Sequence, residues 1–221
     1  MSLRPEQFLS YLTAERTIGG PGGVAARTAA RTIGELRLSS GALVACDPAL
    51  VEARPMGERF PIGAFPVAIV VVTYAPRPTL LSRLAGGLLP PPQPDRRIAL
   101  AAITFSAAPI VAWRPATERL APGEAEAEPY VYAVDSATGC FMDLLAAERA
   151  VAAGGDLEAA AAIASESAEG EPAWLTMSLR DAPHLNIVAF SSGWGDGAYA
   201  TYVGYTERQG VARVVTDFNV L

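Results

Sequence analysis

Phe60-Pro61-Ile62-Gly63-Ala64-Phe65-Pro66 leads directly into Val67-Ala68-Ile69-Val70-Val71-Val72-Thr73. The second stretch is apolar from Val67 to Val72 and dominated by β-branched residues, which predicts a strand covered on both faces. The prolines and glycine ahead of it form a stiff approach that a helix would not tolerate. Upstream, Leu36 and Leu38 alternate with Arg37 and Ser39, Ser40-Gly41 supplies a turn, and Ala42 to Cys46 returns as a more buried strand ended by Asp47-Pro48. Downstream, Arg97 to Phe105, Pro109 to Trp113 and Tyr130 to Asp135 repeat the strand pattern. Asn186 to Phe190, Ala198 to Tyr205 and Val211 to Val220 read as a C-terminal three-strand meander.

Helices are few. Pro5 to Glu15 places Phe8, Leu9 and Leu12 on one side, with Ser2 available as a cap. Thr138 is positioned to cap a helix from Gly139 to about Ala153, stopped by Gly154-Gly155, and Asp156 to cap an Ala-rich stretch to Ala164. Gly19 to Gly23 breaks the first helix, and the segment to Arg31 reads as a connection. Pro76 to Asp95, with Gly86-Gly87 and Pro90-Pro91-Pro92, reads as an exposed insertion, and Glu118 to Glu128 as a solvated acidic loop. The expectation is an α+β, β-rich fold: a mostly antiparallel sheet or sandwich with a few peripheral helices. Residues 1–35 form an N-terminal helix and Gly-rich connection, and residues 36–221 a single domain.

Composition narrows the chemistry. All 17 basic side chains are arginine, so Schiff-base lysines, the Walker lysine and Ser-Lys dyads are excluded. His184 is the one histidine, which leaves no multi-histidine metal site. The net charge of −6 with no basic cluster argues against nucleic acid, which demands a basic face. The longest apolar run falls well short of the roughly 18 residues of a membrane helix. No basic segment followed by an apolar core opens the chain, so no secretory signal is expected. Cys46 and Cys140 sit in apolar contexts and read as buried, reduced thiols, with the cytoplasm as the expected compartment.

Two constellations could carry function. Ser191-Ser192-Gly193-Trp194-Gly195-Asp196-Gly197-Ala198-Tyr199 sets three glycines around one tryptophan and one carboxylate between two strand patterns. Such a loop either shapes a hairpin with a structural Asp or presents Trp194, Asp196 and Tyr199 to a ligand or partner. Asp47, Asp135, Asp143 and Asp217 lie at expected strand ends or in loops. Carboxylates there satisfy helix N-termini and backbone amides; gathered with Asp196 at one end of a sheet, they would instead bind Mg²⁺ or Ca²⁺ or form an acid/base pair.

An ordered series of motifs resembles the domain of unknown function 4241 family. It runs through Ser40-Gly41, Ala45-Cys46-Asp47-Pro48, Pro61-Ile62-Gly63-Ala64-Phe65-Pro66-Val67, and Trp113 with Ala116. It continues through Val134-Asp135, Gly139-Cys140-Phe141-Met142-Asp143, Ser192 to Tyr199, and Asp217-Phe218. The resemblance implies a bacterial cytosolic β-rich domain and carries no catalytic residues with it. The expected function is a non-enzymatic binding or interaction module without a cofactor, using the Gly-Trp-Gly-Asp-Gly loop on a protein partner. An immunity- or antitoxin-like role is one concrete form. The alternative is a carboxylate-based, divalent-cation-dependent hydrolase. Nucleic acid and membrane are not expected as partners, and the sequence sets no oligomeric state.

Overall fold

A computed structural model describes residues 3–20, 24–76, 93–120, 126–155, 157–158, 162–163 and 171–221. Its strands are β1 (Arg16–Gly19), β2 (Ala25–Leu38), β3 (Leu43–Cys46), β4 (Gly63–Tyr74), β5 (Asp95–Thr104) and β6 (Ile110–Pro115), then β7 (Val131–Val134), β8 (Thr138–Asp143), β9 (Trp174–Leu179), β10 (Ala182–Ser191), β11 (Gly197–Thr206) and β12 (Val211–Asp217). A 3-10 turn at Pro5–Gln7 runs into α1 (Phe8–Thr13), and α2 spans Leu144–Ala152. None of these helices is long and apolar enough to cross a membrane.

All pairings are antiparallel and form two sheets. The larger is ordered β1-β2-β4-β5-β12-β11-β6, with β7 also pairing β11; the smaller is ordered β3-β8-β10-β9. The strand expected from Val67 to Thr73 is the interior strand β4, between β2 and β5. The sheets stack face to face, and strand alternation divides their side chains. Phe141, Val188 and Phe190 join the core shared with the large sheet, while Val44, Cys46, Cys140, Met142, Ile187 and Ala189 pack on the other side with α2. Phe190 meets Phe141 at 5.1 Å and Phe218 at 5.9 Å between ring centroids. On the large sheet's opposite face, Phe8 of α1 packs edge-on against Trp113 at 5.4 Å and against Tyr202 at 5.3 Å. The amphipathic face read into the N-terminal helix is therefore used as a lid over a sheet.

Several expectations are corrected. The segment Ala25 to Arg31 is no connection: it belongs to the 14-residue β2, paired along its length with β4. Gly139 does not open a helix. Residues Thr138–Asp143 form a strand buried at every position, and α2 starts only at Leu144, with Asp143 rather than Thr138 as its cap. An apolar run this short has no decisive period, and burial between two cores selects the strand. Ser40-Gly41 is not a hairpin turn, because β2 and β3 lie in different sheets. Likewise β10 belongs to the small sheet, so the expected three-strand meander is a β11–β12 hairpin preceded by a crossing between sheets. Strand β9 had no sequence expectation. Most of the proline-rich insertion and most of the second, Ala-rich helix lie outside the described residues.

Candidate functional site

Asp47 and Asp143 are reciprocal clamps on the β3–β8 pair. Asp47 directly follows β3 and is 1% exposed. Its Oδ2 accepts the amides of Asp135 and Ser136, both at 2.8 Å, in the turn that leads into β8. Its Oδ1 accepts the Ser136 hydroxyl at 2.6 Å and the Ala49 amide at 2.8 Å. Asp143 ends β8 and is fully buried. Its Oδ2 accepts the amides of Ser39 and Ser40, both at 2.8 Å, and the Ser40 hydroxyl at 3.0 Å, in the turn that leads into β3. Its Oδ1 caps α2 through the Leu145 amide at 2.8 Å. Each carboxylate thus ends one strand and fixes the entry to the other, with four donors around an otherwise costly buried charge.

The turn held by Asp47 carries the glycine-rich run. Ala137 has φ of +54°, a left-handed conformation costly for a residue with a Cβ. Its amide donates to Asp196 Oδ1 at 3.1 Å, and its carbonyl accepts the Ser192 amide at 3.0 Å. Within the run, the Gly195 amide donates to Ser192 O at 2.6 Å, and Gly195 O accepts the Ser192 and Tyr199 hydroxyls at 2.8 and 2.7 Å. Gly193, at φ +44°, lies so close to Phe218 that a Cβ would stand 2.7 Å from the Phe218 Cβ. That close approach is why glycine is needed there. Tyr199 is only 4% exposed, and burial pushes its phenol above the ordinary pKa.

Trp194 is the residue this loop presents. Its side stays 52% exposed, yet the ring stacks on Tyr74 with centroids 6.0 Å apart and planes 22° apart. The Arg97 guanidinium sits 5.0 Å from the Trp194 centroid and is itself paired to Asp95 at 2.8 Å. The Tyr74 hydroxyl donates to Val220 O at 3.1 Å, which fixes the lower ring. Burial first, and the Asp95 charge second, raise the Tyr74 pKa and keep it a neutral donor. A cleft of about 370 Å³ opens beside this shelf, lined by Val24, Tyr74, Gln93, Asp95 and Trp194 among others. A second, of about 240 Å³, lies around Ser136, Thr138, Ser192 and Gly193, with Arg96 and Arg97 at its wall.

The residues singled out by sequence therefore divide. Trp194 projects; Asp196 and Tyr199 brace the loop behind it. Asp47, Asp135 and Asp196 meet at the β7–β8 turn, but Asp47 binds the Asp135 amide rather than joining its carboxylate. Asp143 is the register partner of Leu43, four positions before Asp47 in the chain, or about 14 Å at strand rise. Asp217 is on β12, 4% exposed, accepting the Asn219 amide at 2.9 Å. Burial is the main cause that raises its pKa. The five carboxylates do not share one site, and among the described residues no three His, Cys, Asp or Glu side chains group as a metal ion would require. His184 is exposed on β10. Tyr74, Arg97, Ser136 and Ala137 were not signalled by sequence, because each acquires its place through partners distant in the chain.

The fold and this loop define a two-sheet antiparallel β-sandwich with a crossing loop that displays one supported tryptophan. The chain belongs to the family described as "Protein of unknown function (DUF4241)", which matches residues 36–216. The match includes both carboxylate clamps and the whole glycine-rich run, and leaves out α1, β1 and most of β2. No curated protein and no solved structure matches the chain.

Proposed function

We propose that this protein is a binding module for a protein partner, with the Trp194 shelf as its recognition element. The observation that carries this reading is a large apolar ring left half in water although its position is fixed by Tyr74 below and Arg97 beside it. A pre-ordered aromatic costs little entropy on binding, and tryptophan is prominent among residues whose truncation abolishes association. The acidic chain, at net charge −6, suits a basic partner, and an immunity- or antitoxin-like role is the concrete form of that reading. The cation-dependent hydrolase has less support, since all four carboxylate oxygens of Asp47 and Asp143 already accept protein donors.

The test is capture with wild-type and Trp194→Ala chains as bait, followed by calorimetric titration of any purified partner. A partner bound by the wild type should lose at least about tenfold in affinity with Trp194→Ala, as expected of an aromatic hot spot. Equal affinity of the two baits would refute the shelf as the recognition element. A melting temperature raised by Mg²⁺, Mn²⁺ or Ca²⁺ would favour the hydrolase instead.

A further inference from the structure

Cys46 and Cys140 are 94 positions apart in the chain, yet they are direct register partners on β3 and β8. Their Sγ atoms stand 3.7 Å apart, and the Cys140 thiol donates to Cys46 O at 3.2 Å. Both thiols are free and buried. Ladder alternation fixes the kind of pair. Leu144 N–H bonds Ala42 O, and Ala45 turns both its amide and carbonyl away from β8 to the Tyr130 hydroxyl. Counting along, Cys46 and Cys140 occupy a hydrogen-bonded position, where Cα atoms are about 5.5 Å apart. That lies within the roughly 4.4–6.8 Å Cα separation of disulfides, while the Cβ atoms of such a pair, about 5.5 Å apart, must close by about 1 Å for the bridge to form. The two residues are not equally exposed. Cys140 is fully buried, whereas Cys46 is 5% exposed and lines a cleft of about 220 Å³ with Leu50, Arg54 and Val131.

We propose that Cys46 and Cys140 are a site of reversible oxidation to an intramolecular disulfide by a low-molecular-weight disulfide. The Cys46 thiolate attacks one sulfur of the small disulfide, forms a mixed disulfide and releases one small thiolate. The Cys140 thiol gives its proton to the small thiolate released beside it, and its sulfur attacks the Cys46 sulfur and expels the second small thiolate, which takes the proton that Cys46 gave up. Two protein thiols and one small disulfide thus become one protein disulfide and two small thiols. The bridge joins the end of β3 to β8 within the pair that Asp47 and Asp143 already clamp. It depends on nothing in the Trp194 reading.

The experiment incubates the full, natively folded chain with graded ratios of oxidised to reduced glutathione, well below its melting temperature. Samples are acid-quenched, denatured, alkylated with N-ethylmaleimide and weighed intact. The expected product is a monomer lighter by two hydrogen atoms, unalkylated and returned to the thiol form by dithiothreitol. Digestion without reductant should yield one joined pair of peptides containing Cys46 and Cys140. Closing so long a loop should raise the melting temperature by at least roughly 5 °C. Cys140→Ala should stop at a glutathione adduct on Cys46; if that variant does not fold, the wild-type products still decide the matter. The proposal is overturned if the wild type stays doubly alkylated across the series, stops at the mixed disulfide, forms a covalent dimer, or melts no higher when bridged.

Discussion

Replacing Asp47 by alanine removes the acceptor for four donors: the amides of Ala49, Asp135 and Ser136 and the Ser136 hydroxyl. Net hydrogen bonds contribute about 1 kcal/mol each, more when charged and less where water can replace them. The turn at Asp135 to Ala137 lies near solvent, so water recovers part of the loss there. The sum is about 4 kcal/mol, which for a chain of this size lowers the melting temperature by roughly 8–16 °C. Asp47→Asn keeps one acceptor oxygen and points an NH₂ group at the donors of the other, so about half that loss is expected. Equilibrium urea unfolding followed by circular dichroism measures both variants against the wild type. Glu52→Ala is the control: its exposed pair with Arg54 should contribute no more than about 0.5 kcal/mol. An Asp47→Ala stability within about 1 kcal/mol of wild type, or an asparagine variant as costly as alanine, would refute the clamp. Asp143→Ala should cost a similar amount, and the double variant should be additive, because sites about 14 Å apart without shared partners do not couple.

Gly193→Ala should destabilise by at least about 2 kcal/mol, since its Cβ would stand 2.7 Å from the Phe218 Cβ and 2.9 Å from the Phe218 carbonyl. Gly195→Ala, where the nearest atom is at 3.7 Å, bears only the conformational cost of its φ of +109° and should lose less in the same denaturation assay. Asp217 tests pH linkage. Burial raises its folded pKa above the unfolded value, so the stability it contributes is present below the ordinary carboxylate range and lost as pH rises through the raised value. Asp217→Asn should therefore be at least as stable as wild type at neutral pH and show a flatter fall in stability from acidic to neutral pH; unchanged slopes would contradict the assignment. Trp194→Ala should leave stability within about 1 kcal/mol of wild type, because the ring is half exposed, while weakening partner binding at least about tenfold.

Sequence by itself determined those features in which one segment's own pattern states its environment. Val67 to Val72 is apolar because β4 lies inside a sheet, with Val67, Ile69, Val70 and Val72 buried and Ala68 and Val71 only half-buried, so the second face is less covered than expected; Leu36 and Leu38 alternate with polar neighbours because only one side of β2 is buried there. Phe8 announced a packed helix face for the same reason. The glycines of the Ser191–Tyr199 run also declared a loop of unusual backbone, and their positive φ values at Gly193 and Gly195 bear that out. Tertiary structure alone decided which sheet each strand joined: β10 and β11 follow one another in the chain, yet β10 pairs with β8 and β9 in the small sheet and β11 with β6, β7 and β12 in the large one. It also decided what the aspartates do. A carboxylate is equally satisfied by water, a cation or backbone amides, so its identity and neighbours in the chain do not tell these apart. Only the folding of Ser39 and Ser40 against Asp143, and of Asp135 and Ser136 against Asp47, assigns those oxygens to amides. Cys46 meets Cys140, and Trp194 meets Tyr74 and Arg97, by the same route: contacts between segments about a hundred residues apart are fixed by sheet register, which no local period encodes.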